Sequence, residues 1–225
     1  MGSVCIRDRL QISGTLNTDG SLTDTTSGYD TTKQLEVGFK YGTKDLMVNA
    51  TLFDTVTEDT QAEVTSGLTF MREYEATGLE FEGRWTATDN FLVSGNLTWT
   101  DAEISKDVNN ATLEGNTPRR QADWIWTITP EYVTDTWSVG ASLQGSTEYY
   151  VLDNNDLKQD GYNLVNLFAT YWVNDQFSVS LNVNNATDEF IITESEEGSA
   201  EVGSYIRARP LNGRTTVLSM KYMFD

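Results

Sequence analysis

The sequence predicts an all-β protein, an antiparallel meander of about nine long strands that forms a segment of a transmembrane β-barrel. Three observations predict it. Apolar residues recur at every second position in stretch after stretch, and successive side chains of a strand point to opposite faces, so each stretch has one apolar and one polar face. Short turns alternate with long polar loops along the chain, an asymmetry typical of membrane barrels. Aromatic residues gather near strand ends, where a ring can keep one edge wet and its body apolar at a membrane–water boundary.

In chain order, residues 1–33 are polar and rich in turn formers, such as Asn17-Thr18-Asp19-Gly20, and are expected to be a loop segment with at most a short strand from Arg9 to Ser13. Residues 34–225 carry the persistent alternation. Leu35, Val37, Phe39 and Tyr41 lead through the turn Gly42-Thr43-Lys44 to Leu46, Val48, Ala50 and Leu52. A polar loop is expected from about Glu58 to Arg72. Leu79, Phe81, Gly83 and Trp85 then alternate with Glu80, Glu82 and Arg84, and Thr88-Asp89-Asn90 turns the chain into Phe91, Val93, Gly95, Leu97 and Trp99. A long loop covers about Ser105 to Thr117. Ala122, Trp124, Trp126 and Ile128 pass through Val133-Thr134-Asp135 to Trp137, Val139, Ala141 and Leu143. After the loop Asp153 to Gly161 come Val165, Leu167, Ala169 and Tyr171, the turn Asn174-Asp175, and Phe177, Val179, Leu181 and Val183. The acidic loop Asp188 to Gly203 leads to the closing strand, where Thr216, Leu218, Met220, Tyr222 and Phe224 share one face. No helical period competes.

Tyr41, Trp85, Phe91, Tyr132, Trp137, Tyr171, Trp172, Phe177, Tyr222 and Phe224 lie beside short turns or the chain end and are expected to form one girdle; Trp99, Trp124, Tyr149, Tyr150 and Tyr162 lie near long loops and form the other.

Composition narrows the function classes. The formal charge of −19, from 15 Lys+Arg against 34 Asp+Glu, removes the basic footprint that nucleic-acid binding needs. No apolar run approaches the roughly 20 residues of a membrane helix, which says nothing about a barrel because barrel strands alternate. Cys5 is the single cysteine and histidine is absent, which excludes an internal disulfide, Cys/His zinc sites and Ser-His or Cys-His catalytic pairs. The first residues, Met1-Gly2-Ser3-Val4-Cys5-Ile6-Arg7, lack a basic region followed by an apolar core, so no signal peptide is read there and a fragment is expected.

The closing strand, ending on Phe224 with Asp225 after it, resembles the last strand of Gram-negative outer-membrane barrels. Further stretches resemble the C-terminal part of a TonB-dependent outer-membrane receptor. They are Leu35-Glu36-Val37-Gly38-Phe39-Lys40-Tyr41, Ala76-Thr77-Gly78-Leu79-Glu80-Phe81-Glu82, Gly115-Asn116-Thr117-Pro118-Arg119-Arg120, Leu181-Asn182-Val183-Asn184-Asn185-Ala186-Thr187-Asp188 and Gly213-Arg214. The combination is specific through its order and spacing over about residues 34–224. The resemblance implies a barrel of about 22 strands around an N-terminal plug. It implies uptake of a scarce nutrient (a ferric siderophore, cobalamin or an oligosaccharide) energised by the TonB complex. This chain would then be a C-terminal portion, inactive alone. Its partners would be outer-membrane lipid, the plug, the other barrel strands and a small-molecule ligand.

No catalytic constellation stands out, and neither a cofactor nor a metal site is expected. Glu80, Glu82 and Arg84 fall on one strand face and read as a polar lumen lining rather than acid–base machinery. The acidic loop residues Asp188, Glu189, Glu194, Glu196, Glu197 and Glu201 lack the regular ligand spacing of a hard-cation site and read as solvated charge. Arg119, Arg120, Arg207 and Arg209 are candidate ligand-binding residues at the barrel mouth, since a guanidinium fork matches a carboxylate. Pairing with the loop acids is the competing use. Tyr149 and Tyr150 are candidates for stacking on a ligand, with a girdle role as the alternative. Two rival readings are kept. One is a small closed outer-membrane barrel with an adhesin or structural role, which needs eight or ten strands with first and last paired. The other is a soluble β-sandwich binding module.

Overall fold

The computed structural model describes residues 2–16, 22–62, 69–195 and 207–224. The strands are β1 (Gly2–Leu16), β2 (Leu22–Gly42), β3 (Leu46–Ala62), β4 (Thr69–Thr86), β5 (Phe91–Asp107), β6 (Trp124–Val133), β7 (Trp137–Ser146), β8 (Tyr149–Tyr150), β9 (Lys158–Gln159), β10 (Tyr162–Trp172), β11 (Phe177–Asn184), β12 (Ile192–Ser195), β13 (Ala208–Pro210) and β14 (Thr215–Tyr222). Among the described residues a single 3₁₀ turn spans Ala111–Leu113. Ten strands make one antiparallel sheet in the order β1-β2-β3-β4-β5-β6-β7-β10-β11-β14. The other four form two ribbons, β8 with β9 and β12 with β13, both inside long connections.

The nine strands expected from the alternation are all present. The tenth, β1, corrects the expectation of a loop over residues 1–33, because β1 and the first half of β2 pair from Gly2↔Val37 to Leu16↔Leu22. Likewise the polar stretch from Glu58 to Arg72 continues the β3–β4 hairpin as far as Ala62↔Thr69. The physical reason is common to both. A strand carried beyond a membrane meets water on both faces, so its ladder hydrogen bonds hold it without apolar alternation. The expected turn at Asn17 to Gly20 lies outside the described residues.

Register turns nine separate alternations into one surface. Val37, Leu52, Leu79, Trp99 and Trp124 are directly opposite one another in succession, as are Phe39, Ala50, Phe81, Leu97 and Trp126. Leu143, Val165 and then Leu167, Val183 carry the same face onward, and Leu181 meets Leu218. Directly opposite residues share a face, so the outer face is continuous and apolar. The opposite face carries Lys40, Asn49, Glu82, Asn96, Thr127 and Gln144 in one row.

The apolar face is uncovered. Phe39, Leu218 and Met220 are 62%, 62% and 68% exposed. A sandwich would bury such a face against a second sheet, and monomeric soluble proteins rarely expose a contiguous apolar area of this extent. The buried apolar residues Ile104, Leu113, Ala122, Val151 and Ile191 lie instead at the long-loop end.

The band has edges. Toward the long loops, the row after Leu52, Leu79 and Trp99 is Asp54, Thr77 and Asp101. Trp99 and Trp124 mark that boundary, with ring centroids 6.3 Å apart. At the short-turn end, Tyr132 stacks on Trp137 at 5.4 Å and Tyr222 meets Phe224 at 4.9 Å. From Phe91 to Trp99 is about 26 Å of strand at roughly 3.3 Å per residue. With a tilt of about 40° this rises about 20 Å, most of the roughly 25 Å apolar band of a barrel.

Among the described residues β1 and β14 each have one neighbour, so the sheet is open. The strand count is even, but the first and last strands do not pair, which separates this sheet from a closed ten-strand barrel.

Candidate functional site

At the long-loop end, three connections meet: β5–β6 (residues 108–123), β7–β10 (147–161) and β11–β14 (185–214). Arg72, opposite Asp107 in the β4–β5 ladder, is the hub. Its Nε donates to Asp107 Oδ2 at 2.6 Å and its Nη1 to Asp153 Oδ2 at 2.5 Å. Asp107 Oδ1 accepts from the backbone N–H groups of Asn109 and Asn110, both at 2.9 Å. Asp153 Oδ1 accepts from the backbone N–H of Arg119 at 3.0 Å. Burial would raise the Asp107 carboxyl, but the Arg72 hydrogen bond and the two amides outweigh it and hold it below the usual carboxylate range. Burial also works against the Arg72 cation, yet its hydrogen bonds to Tyr74, Asp107 and Asp153 hold its proton more tightly than usual. Nothing in the sequence singled out this buried trio. Arg72 and Asp107 meet only through a register that includes a bulge between Glu73 and Tyr74.

The stretch Gly115 to Arg120 lies against this hub. Gly115 takes φ +84°, where a side chain would be strained. Asn116 Nδ2 donates to the Asp153 carbonyl at 2.9 Å. Asn155, at φ +59°, grips the Thr117 backbone from both sides: its Oδ1 accepts from Thr117 N–H at 3.0 Å and its Nδ2 donates to Thr117 O at 2.8 Å. The β5–β6 and β7–β10 connections are thereby fastened as one body. A second fastening uses Asn185 and Asp188. Asn185 is buried, accepts from Glu189 N–H at 3.0 Å and donates to the Glu189 and Asn212 carbonyls at 2.8 and 3.2 Å. Asp188 Oδ1 accepts from Arg214 N–H at 2.7 Å, closing the base of the last long connection.

Of the candidate ligand residues, Arg119, Arg120, Tyr149, Tyr150 and Arg209 are drawn into this assembly. The Arg119 guanidinium lies 3.7 Å from Asp153. Arg120, at φ +62°, donates its backbone N–H to Tyr150 O at 2.7 Å and its Nε to Ser195 O at 3.1 Å. Glu194 is held between Arg120 at 3.2 Å and Arg209 at 3.1 Å. Tyr149 is buried, and its hydroxyl has no hydrogen-bond partner among the described residues. Burial pushes that phenol up. Tyr150 carries the Lys158 ammonium 5.0 Å above its ring, and Lys158 pairs with Glu148. Arg207 is exposed just before β13. Among the acidic loop residues, Glu196, Glu197 and Glu201 lie outside the described residues. Among the described residues no group of three or more acidic or sulfur side chains could hold a metal ion.

The polar face of the sheet is concave nearer the short turns. A hollow of about 480 Å³ is lined by Asn49, Glu82, Arg84, Asn96 and Thr127, with Asn49 Nδ2 donating to Glu82 at 3.2 Å. Glu82 and Arg84 lie in this lining, and Glu80 falls on the same strand face beyond it.

An open antiparallel sheet, apolar and banded outside and polar inside, is a segment of an outer-membrane-type barrel wall. Residues 13–186 match the family described as TonB dependent receptor-like, beta-barrel, and the chain belongs to that family. It is 24% identical over 228 residues to a probable TonB-dependent siderophore receptor, PiuA, of Acinetobacter baumannii, covering 94% of this chain and 29% of that protein. Its shape matches the ferric yersiniabactin uptake receptor FyuA of Yersinia pestis with a TM-score of 0.78 at 19% identity, covering 100% of this chain and 34% of that one. The copper transporter OprC matches at a TM-score of 0.70 and 17% identity, over 87% of this chain and 32% of that one. The chain thus spans about a third of the length of these proteins.

Proposed function

We propose that the chain supplies the C-terminal part of the barrel wall of an outer-membrane receptor in a Gram-negative bacterium, one that imports a scarce nutrient with energy delivered through TonB. The observation that carries this is the open sheet with opposed apolar and polar faces, in a chain of this family. The apolar band meets outer-membrane lipid, and the polar hollow faces the plug. Both sheet edges pair with other barrel strands. TonB engages the rest of the receptor. A ferric siderophore is the favoured cargo, with cobalamin and an oligosaccharide as rivals. Arg119, Arg120, Tyr149, Tyr150, Arg207 and Arg209 form the ligand-side rim. Glu194 holds two of its guanidinium groups in place, and an anionic ligand would compete with it.

The test is growth on a ferric siderophore as sole iron source in a receptor-deleted strain. A full-length receptor carrying this segment is expected to restore growth, and the chain alone is not. Restoration by the chain alone would overturn the assignment as a wall segment.

A further inference from the structure

The apolar face is interrupted at a pair of glycines. Gly83 and Gly95 are directly opposite each other on β4 and β5. They form the floor of a notch of about 440 Å³ walled by Val48, Phe81, Trp85, Val93, Leu97 and Ile128. Phe81, Trp85, Leu97 and Ile128 are all exposed around it.

A glycine inside a strand weakens it, and commonly marks a place where something approaches closely. Three other strand glycines have an internal explanation. A Cβ on Gly78, Gly140 or Gly145 would fall 2.3–2.4 Å from the ring of Phe53, Phe168 or Trp126, each its direct cross-strand partner or that partner's ring. A Cβ on Gly95 would meet the Thr127 carbonyl at 2.6 Å. Gly83 is different. A Cβ there would find its nearest neighbour, the edge of Phe81, at 3.4 Å, an ordinary contact, and its backbone does not require glycine. The protein's own packing does not account for the missing side chain.

The position of the notch says what fills it. It opens on the outer face, among the exposed residues of the apolar band. It lies two residues from Trp85, at the short-turn end where the Tyr132–Trp137 pair marks the boundary. An occupant must be apolar along its length, with a polar end at the level of Trp85. We propose that the notch seats one acyl chain of a phospholipid from the leaflet at the short-turn side. This rests on the reading of the apolar face as membrane-facing.

The test is photolabelling of the full-length receptor carrying this segment. It is placed in nanodiscs of phosphatidylethanolamine and phosphatidylglycerol with a trace of a phospholipid bearing a diazirine on its acyl chain. Labelling of the stretches Phe81–Trp85 and Val93–Leu97 is expected to exceed, several-fold, that of Val165–Ala169 on the same face. Gly83→Leu, which fills the notch, is expected to reduce it to that level, and Gly83→Ala to an intermediate one. Uniform labelling of the wild-type face overturns the proposal while leaving the membrane-facing reading intact, as does preferential labelling that Gly83→Leu and Gly83→Ala leave unchanged. Should neither variant fold, the wild-type pattern decides by the same criterion. A wild-type face that takes no label at all refutes the membrane-facing reading itself.

Discussion

Asp107 shows how a single residue can organise the long-loop end. Its side chain is fully buried, and both oxygens are satisfied, one by Arg72 and one by two amides. Removing one partner of a buried pair leaves an uncompensated charge and costs about 3–5 kcal/mol. Arg72→Ala is therefore expected to abolish hydrogen-exchange protection at the Asn109, Asn110 and Arg119 amides while sparing the β10–β11 ladder. The same carboxyl sets a pH dependence. Its folded-state value is depressed, so its contribution is present above the ordinary carboxylate value of about 3.9. It is lost as pH falls through the lower folded-state value. Protection of the Asn109 and Asn110 amides should hold at neutral pH and fail in acid, and Asp107→Asn should remove the pH dependence. Facing is tested by two neighbours on β11. Leu181, opposite Ala169 and Leu218, lies on the apolar face; Ser180, whose Oγ is 3.0 Å from Thr170 Oγ1, lies on the polar one. Arginine on a lipid face near the midplane costs roughly 2–4 kcal/mol. Leu181→Arg should lose that much in refolding into lipid vesicles along a denaturant titration, and Ser180→Arg much less. Equal losses would reverse the assignment. This facing is legible in sequence, because Phe177, Val179, Leu181 and Val183 keep strict parity. The Arg72–Asp107–Asp153 hub is not, because a bulge sets its register and Asp153 comes from a distant loop.

At the scale of elements, the strands divide by length. β6, β7, β10, β11 and β14 run 8–11 residues, close to one membrane crossing, whereas β2 to β5 run 17–21. The surplus stands beyond the Trp99 boundary as an extension in which the apolar alternation lapses. Alternation reports burial of one face in an apolar medium, so it finds the crossings and misses the extension. This is why β1, whose Arg7-Asp8-Arg9 run breaks any apolar pattern, reads as loop. The loops themselves are fastened by short polar residues. Asn155→Ala, which removes both bonds to Thr117, is expected to raise hydrogen exchange in the β5–β6 and β7–β10 connections together. A rise in one connection alone would show that they are not one body. The motif residues Asn116, Asn185 and Asp188 were visible in sequence, but only the structure gives them this fastening role.

For the whole molecule, two free edges and a bare apolar face dominate. Unpaired strands of this length are templates for association. The isolated chain is expected to aggregate without detergent, and a monodisperse detergent-free monomer by light scattering would contradict the open-sheet account. In the proposed wall segment one face of this sheet meets lipid and the other does not. The most direct measurement is site-directed spin labelling along β11, from Phe177 to Asn184, in a Cys5→Ser background of the full-length receptor in vesicles, with collision by oxygen and by a water-soluble nickel reagent read at each position. Oxygen contact should peak at positions 177, 179, 181 and 183 and nickel contact at 178, 180, 182 and 184. A flat profile, or the opposite phase, would contradict it.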